Sequence, residues 1–332
     1  MDIIVYLLFA LGLILIIKGG DWFVDSAVWI AEVTGIPSII IGATIVSIAT
    51  TLPELIVSVT ANLQGSSEMA IGNAVGSIIC NIGLISSLGF IALKNVIKKK
   101  LFIKKSMIMI GSLVVFTAFA WDLNFSHLEA GVVLLFIVLF LYYNIKGSKE
   151  SDEEYTFDKS TLTKQIITKN IVLFVAGATG IILGASLLVN NGQIIAKQLG
   201  VPEAIISLTL IALGTSLPEL TTMISSIKKK NQDIGLGNII GANILNVALI
   251  LTSSSLISSD GLPIMKYDFS LLGKEFIGFP NTLFIDVPFA LILMLLFSVP
   301  TYFKGETKKW QGFAMLTTYV LYLVIRVGTG IS

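Results

Sequence analysis

The segments 69–93 and 234–257 each run without a single charged side chain. At 1.5 Å of rise per residue, an apolar helix of about 20 residues crosses the roughly 30 Å hydrocarbon core of a bilayer. Inside that solvent every backbone N–H and C=O must be satisfied internally, which leaves only helices and closed barrels. Barrel strands would show short alternating segments, and none occur. The rest of the chain agrees: 55% of its 332 residues are hydrophobic and 13% charged, against about 25% charged in a soluble domain. We therefore expect an all-α integral membrane protein, with about ten transmembrane helices near 3–30, 36–62, 69–93, 103–120, 128–145, 168–190, 203–227, 234–257, 285–303 and 311–328.

Several function classes drop out early. One cysteine, Cys80, and one histidine, His127, leave no disulfide framework and no zinc cluster. A net charge of +1 gives no footprint for nucleic acid. A lone His127 in a loop, without paired Asp or Ser/His sets, argues against an enzyme, and no cofactor is expected. The start of the chain lacks a basic region and a small-residue cleavage site, so residues 2–17 read as a retained first span.

Charge is confined to the connections. Lys94, Lys98, Lys99, Lys100, Lys104 and Lys105 follow the third span, Lys228–Lys230 the seventh, and Lys304, Lys308 and Lys309 the ninth. The positive-inside rule then makes these loops cytoplasmic and both termini extracellular, in a multi-pass protein of the cell membrane. The mixed-charge segment 147–165 reads as a flexible linker. Residues 258–286 are long for a loop and read as an extracellular cap or an interfacial segment.

Within this apolar chain one polar phrase occurs twice. Thr50-Thr51-Leu52-Pro53-Glu54-Leu55 precedes Gly72-Asn73, Gly76-Ser77 and Asn81; Thr215-Ser216-Leu217-Pro218-Glu219-Leu220 precedes Gly237-Asn238, Gly241-Ala242 and Asn246. The same 165-residue offset pairs Gly19 with Gly184, Gly35 with Gly200, Pro37 with Pro202 and Thr44 with Thr209. The halves are thus 1–145 and 168–332, joined by a cytoplasmic linker at 146–167. Five spans per half, an odd number, turn the second half over: two inverted five-helix repeats, an architecture of secondary transporters. Gly19-Gly20-Asp21 is expected to loosen the first span. Pro53 and Pro218 are expected to break the second and seventh, since proline removes a helical N–H and frees the carbonyls of Ala49 and Gly214.

A carboxylate inside a membrane span is costly and needs a purpose. Two that face each other repel unless a cation joins them. Glu54 and Glu219 are therefore expected as the carboxylates of one oxygen-lined cation site. Thr50, Thr51, Thr215 and Ser216, with the carbonyls of Ser47 and Ala212, lie in the same turns. Ser77, Asn73, Asn81, Asn238 and Asn246 supply further oxygens; such donors suit hard cations. Duplicated glycines for close helix packing would explain Gly72, Gly76, Gly237 and Gly241 without any ion, but not two buried glutamates. Asp21 and Asp25 are weaker candidates, expected near water, and Lys18 is expected to reach it.

These motifs resemble the sodium/calcium exchangers of the calcium/cation antiporter superfamily, above all their archaeal and bacterial members, nearly from end to end. Trp310-Gln311-Gly312 is similar to that family as well. The resemblance implies Na⁺/Ca²⁺ exchange by alternating access, three Na⁺ for one Ca²⁺, with the first and sixth spans sliding past the rest. It implies that Glu54, Glu219, Thr50 and Thr215 hold Ca²⁺. Ser47, Thr51, Ala212 and Ser216 would form an outer Na⁺ position, and Thr50, Ser77 and residue 242 an inner one. Asn81 and Asn246 would line the centre, and Asn73 and Asn238 would support it. The implied partners are Na⁺, Ca²⁺ and the lipid bilayer, with no nucleic acid, in a functional monomer. The chain departs from the pattern twice. Ala242 stands where a serine is usual, with Ser77 and Asn243 as the residues to compensate; Asn246 stands where potassium-dependent relatives carry Asp, which argues against K⁺ transport. The alternative is a proton/calcium exchanger, toward which Ala242 is a step. A cation channel is disfavoured by the internal inverted repeat.

Overall fold

The computed structural model describes residues 3–92, 99–149, 162–198, 212–271 and 274–328. Among them, eight helical stretches are long and apolar enough to cross a membrane: Ile3–Thr34, Ser38–Leu63, Ser67–Ala92, Phe102–Asp122, His127–Lys146, Lys164–Ile195, Gln232–Ile257 and Thr282–Lys304. The two other expected spans fare differently. The start of the seventh, with Pro202 and Thr209, lies outside the described residues, as does most of the linker; the helix Leu217–Lys228 is what is seen of that span. The tenth is a helix, Lys309–Gly328, made less apolar by Gln311, Thr317, Thr318 and Arg326.

The all-helical expectation needs one correction. Asn124–Phe125 pairs antiparallel with Leu262–Pro263, and Tyr267–Leu271 with Lys274–Phe279. Residues 258–286 are thus partly a β-hairpin. Gly278, at φ 62°, sits where Asp268 Oδ1 accepts its N–H at 2.6 Å, a turn of backbone that favours glycine.

The duplicated sequence produces duplicated local structure. Ser67–Cys80, a π-helical turn at Asn81–Ser86 and Ser87–Ala92 are matched, at the same offset, by Gln232–Leu245, Asn246–Leu251 and Thr252–Ile257. Each π segment begins on the last asparagine of its motif. Such segments widen the helix by a residue and often mark functional positions.

The chain folds as two compact units that cut across the repeat: Met1–Thr50 with Asn144–Gly241, and Thr51–Tyr143 with Ala242–Ser332. In the first, Ile3–Thr34 lies against Lys164–Gln198. A Cβ on Gly12 would stand 2.9 Å from the Gly184 carbonyl oxygen, and one on Gly19 would stand 2.8 Å from that of Gly177. Contacts that rise along one helix and fall along the other make the pair antiparallel. The first helix therefore does not break at Gly19-Gly20-Asp21, contrary to expectation. Its glycines let two backbones touch, as small residues do between membrane helices. Phe23, Ala27, Ala31, Ile41, Val46, Ile181 and Ile234 form the core of this unit. A second backbone seam joins Gly42 to Ile234 and Gly241 to Ala43.

In the second unit Phe297 stacks on Phe90 at 5.3 Å and meets Phe102 at 5.4 Å. Pro300 sits inside the helix Val287–Lys304. Lacking an N–H, it leaves the Leu296 carbonyl without its helical donor. The buried Gln311 fills the gap, donating from Nε2 to that carbonyl at 3.1 Å and to Thr301 Oγ1 at 2.9 Å. The glutamine of the Trp310-Gln311-Gly312 motif is thus a helix-to-helix tie.

Candidate cation site

Glu54 and Glu219 are each only 1% exposed. Their helices differ. Glu54 lies within Ser47–Leu63, which continues through Pro53, so the expected break is absent there. A proline removes one N–H and crowds one carbonyl, and here the helix runs on through it. The irregularity falls upstream, in the π-helical Gly42–Val46. In the second copy the chain does interrupt: Ala212–Thr215 ends, Ser216 adopts φ −88°, ψ 5°, and a new helix starts at Leu217 with Pro218 and Glu219 in its first turn. Exposed backbone N–H groups at a helix start favour a carboxylate.

The unit that begins at Thr51 contains Thr51, Glu54, Asn73, Ser77, Asn81, Ala242 and Asn246; the other contains Ser47, Thr50, Ala212, Thr215, Ser216, Glu219 and Asn238. Of Ala212 only the backbone is described. In the first group, Asn73 Nδ2 donates to the Glu54 carbonyl at 3.2 Å and to Ser58 Oγ at 2.9 Å. Asn81 Nδ2 donates to Asn243 Oδ1 at 3.1 Å. In the second group, Thr50 Oγ1 donates to Asn238 Oδ1 at 3.0 Å, and Ser47 Oγ donates back to the Thr44 carbonyl. Asn73 and Asn238 thus brace the motif turns.

Several buried oxygens on these residues have no hydrogen-bond partner among the described residues: Thr51 Oγ1, Ser77 Oγ, Asn81 Oδ1, Asn246 Oδ1 and Ser216 Oγ. Each such atom costs about 1–3 kcal/mol if nothing binds it. A hard cation is a fitting partner, because it is coordinated through oxygen lone pairs.

The model of the family described as sodium/calcium exchanger protein matches residues 4–146 and 169–328. The chain belongs to the sodium/calcium exchanger family. It is 32% identical to the sodium/calcium exchanger MaX1 of Methanosarcina acetivorans, over 96% of this chain and 97% of that protein. It is also 32% identical to an uncharacterised membrane protein of Methanocaldococcus jannaschii, with the same coverage. Its fold is similar to that of the sodium-calcium exchanger NCX_Mj soaked with 2.5 mM Na⁺ and 1 mM Sr²⁺. The TM-score is 0.81 at 30% identity, over 98% of this chain and 99% of that one. As a member of this family of transporters, the chain is a multi-pass membrane protein and not an enzyme.

In this exchanger, Asn243, beside Ala242, accepts from Asn81 through Oδ1. Sequence reasoning also missed Lys105, fully buried in Lys99–Phe119 although it reads as a loop lysine. It missed Asp286 as well, which accepts from Tyr322 Oη at 3.0 Å and lies 3.4 Å from Arg326 Nε. An aspartate at the start of an apolar span was the available signal. His127 opens a helix, with Nε2 2.8 Å from the Ser258 carbonyl oxygen. Asp25 is 65% exposed in its side chain and pairs with Lys229, whose Nζ also donates to the Asp21 carbonyl at 2.9 Å. Both aspartates thus serve a tie between helices.

Proposed function

We propose that this chain is a secondary antiporter that exchanges Na⁺ for Ca²⁺ by alternating access. The observation that carries the reading is the pair of buried glutamates, each 1% exposed on a copy of the same motif. A carboxylate inside a membrane span is costly, and two of them on copies of one motif are suited to a transported cation. Glu54 and Glu219, with Thr50 and Thr215, ligate Ca²⁺. Ser47, Thr51, Ala212 and Ser216 serve an outer Na⁺, Ser77 and the backbone near Ala242 an inner one, and Asn81 and Asn246 the centre. The name and ions of NCX_Mj support this reading.

The exchange runs at three Na⁺ per Ca²⁺ without K⁺, since Asn246 cannot ionise. The functional unit is a monomer of ten spans in two inverted halves, with the lysine-rich loops in the cytoplasm. The inversion draws support from the Gly12–Gly184 and Gly19–Gly177 contacts. Gly12 and Gly19 are the repeat mates of Gly177 and Gly184, so equivalent helices meet head to tail about a two-fold relation.

The test is ⁴⁵Ca²⁺ uptake into proteoliposomes driven by an outward Na⁺ gradient, compared with a pH gradient and with added K⁺. Uptake on the Na⁺ gradient alone is the expected result. Uptake on the pH gradient alone would establish the proton/calcium reading that Ala242 favours, by removing a hydroxyl where Ser77 has one.

A further inference from the structure

We propose that Asn243 is a positioning residue: it fixes the Asn81 carboxamide so that the oxygen, and not the NH₂, is presented to the transported cation. The proposal rests on the exchanger reading above. It begins at Met109, which is fully buried. A thioether sulfur accepts hydrogen bonds and donates none. Asn243 Nδ2 donates to Met109 Sδ at 3.8 Å. The sulfur thereby selects which end of the Asn243 amide faces it, and turns Oδ1 the other way.

That oxygen accepts from Asn81 Nδ2 at 3.1 Å. With its nitrogen end held against Asn243, the Asn81 carboxamide turns its oxygen away, and Asn81 Oδ1 has no partner among the described residues. Asn81 and Asn243 are both 0% exposed. A flipped Asn81 would aim two N–H dipoles at a cation and set its oxygen against that of Asn243. The relay Met109–Asn243–Asn81 excludes that state.

The device belongs to one copy only. The repeat mate of Asn243 is Ile78, which carries no acceptor, and the mate of Asn81 is Asn246, neither of whose amide atoms has a partner among the described residues. Asn81 is thus preset for a cation, whereas Asn246 is left to turn. This gives Asn243, spelled in the sequence as one more polar residue after Ala242, a role distinct from that of a ligand.

The experiment is Na⁺-driven ⁴⁵Ca²⁺ exchange in proteoliposomes with Asn243→Leu, which keeps the branched shape and removes the acceptor. Half-saturating Ca²⁺ is expected to rise about tenfold, the scale of one buried hydrogen bond, with monodispersity and Tm near those of the parent. In an Asn81→Asp background, whose carboxylate offers an oxygen at either end, adding Asn243→Leu is expected to shift half-saturation less than about twofold. An unchanged value in folded Asn243→Leu overturns the proposal, and so does a full tenfold shift in the Asn81→Asp background, which would mean a packing role. Should Asn243→Leu fail to fold, Met109→Leu tests the same relay; an about threefold rise is expected and no change overturns it. Absence of Na⁺-driven uptake in the parent protein would instead refute the exchanger reading on which the proposal stands.

Discussion

Glu54 stands in the middle of a helix, Ser47–Leu63, with Pro53 inside it; Glu219 stands in the first turn of another, Leu217–Lys228, with Pro218 beside it. The two turns share five of six letters around the proline or differ by close substitutes, yet one helix runs on and the other begins anew. Around Glu54 the helix is braced by Asn73, which donates to the glutamate's own carbonyl. Around Glu219 the carboxylate sits in the field of a helix start. The difference teaches that a repeated motif fixes which groups are present and leaves their backbone setting to the surroundings. One motif turn is braced by a side-chain amide bound to the glutamate's main chain, whereas the other opens a helix.

The comparison breaks first at the carboxylates themselves. Glu54→Gln and Glu219→Gln are each expected to cut Na⁺-driven Ca²⁺ uptake by about 100-fold or more, the scale of losing one member of a buried charge set, while the protein still elutes as a folded species. Near-normal uptake in either variant would remove that copy from the site. The prolines come next. Pro53→Ala restores a mid-helix N–H and is expected to stabilise the protein by about 3 kcal/mol, read as a higher Tm in detergent. Pro218→Ala, in a first turn where the N–H has no helical acceptor, is expected to change stability by less than about 1 kcal/mol.

The glycines sharpen the contrast at a smaller scale. A Cβ at Gly241 would collide with Ser47 Oγ and stand 2.5 Å from the Ala43 carbonyl oxygen, whereas a Cβ at its repeat mate Gly76 meets nothing within 4 Å among the described residues. Gly241→Ala is expected to cost about 1–3 kcal/mol through overpacking, and Gly76→Ala to be neutral or stabilising by up to about 1 kcal/mol; thermal unfolding distinguishes them. Ala242→Ser restores the hydroxyl that Ser77 has in the other copy. It is expected to lower half-saturating Na⁺ by about threefold to tenfold, worth one added oxygen contact, in a Na⁺ titration of uptake. Smallest of all, Lys229→Ala removes a partly exposed ion pair with Asp25 and is expected to cost less than about 1 kcal/mol.

Close packing by Gly237 and Gly241 was legible because small residues at helical spacing have few other uses inside a membrane. Gly72 and Gly76 carry the same spelling and show no such approach among the described residues, so the pattern alone does not say which face is covered. Asn81 was legible as a polar group in an apolar span. The direction of its amide was not, because it depends on Asn243 and Met109, and Met109 lies 134 residues from Asn243 in the chain.

The sequence by itself determined that the chain spans a membrane as helices, that it carries two copies of one oxygen-rich motif, and that two glutamates are buried. These follow from hydropathy, spacing and the cost of charge in hydrocarbon, all of which are properties of short segments. Only the tertiary structure decided where the helices interrupt, that the glycines of the first helix join backbones instead of bending it, and which amide atoms are left for an ion. Those outcomes depend on neighbours brought from the other half of the chain, and no local pattern carries the identity of a distant neighbour.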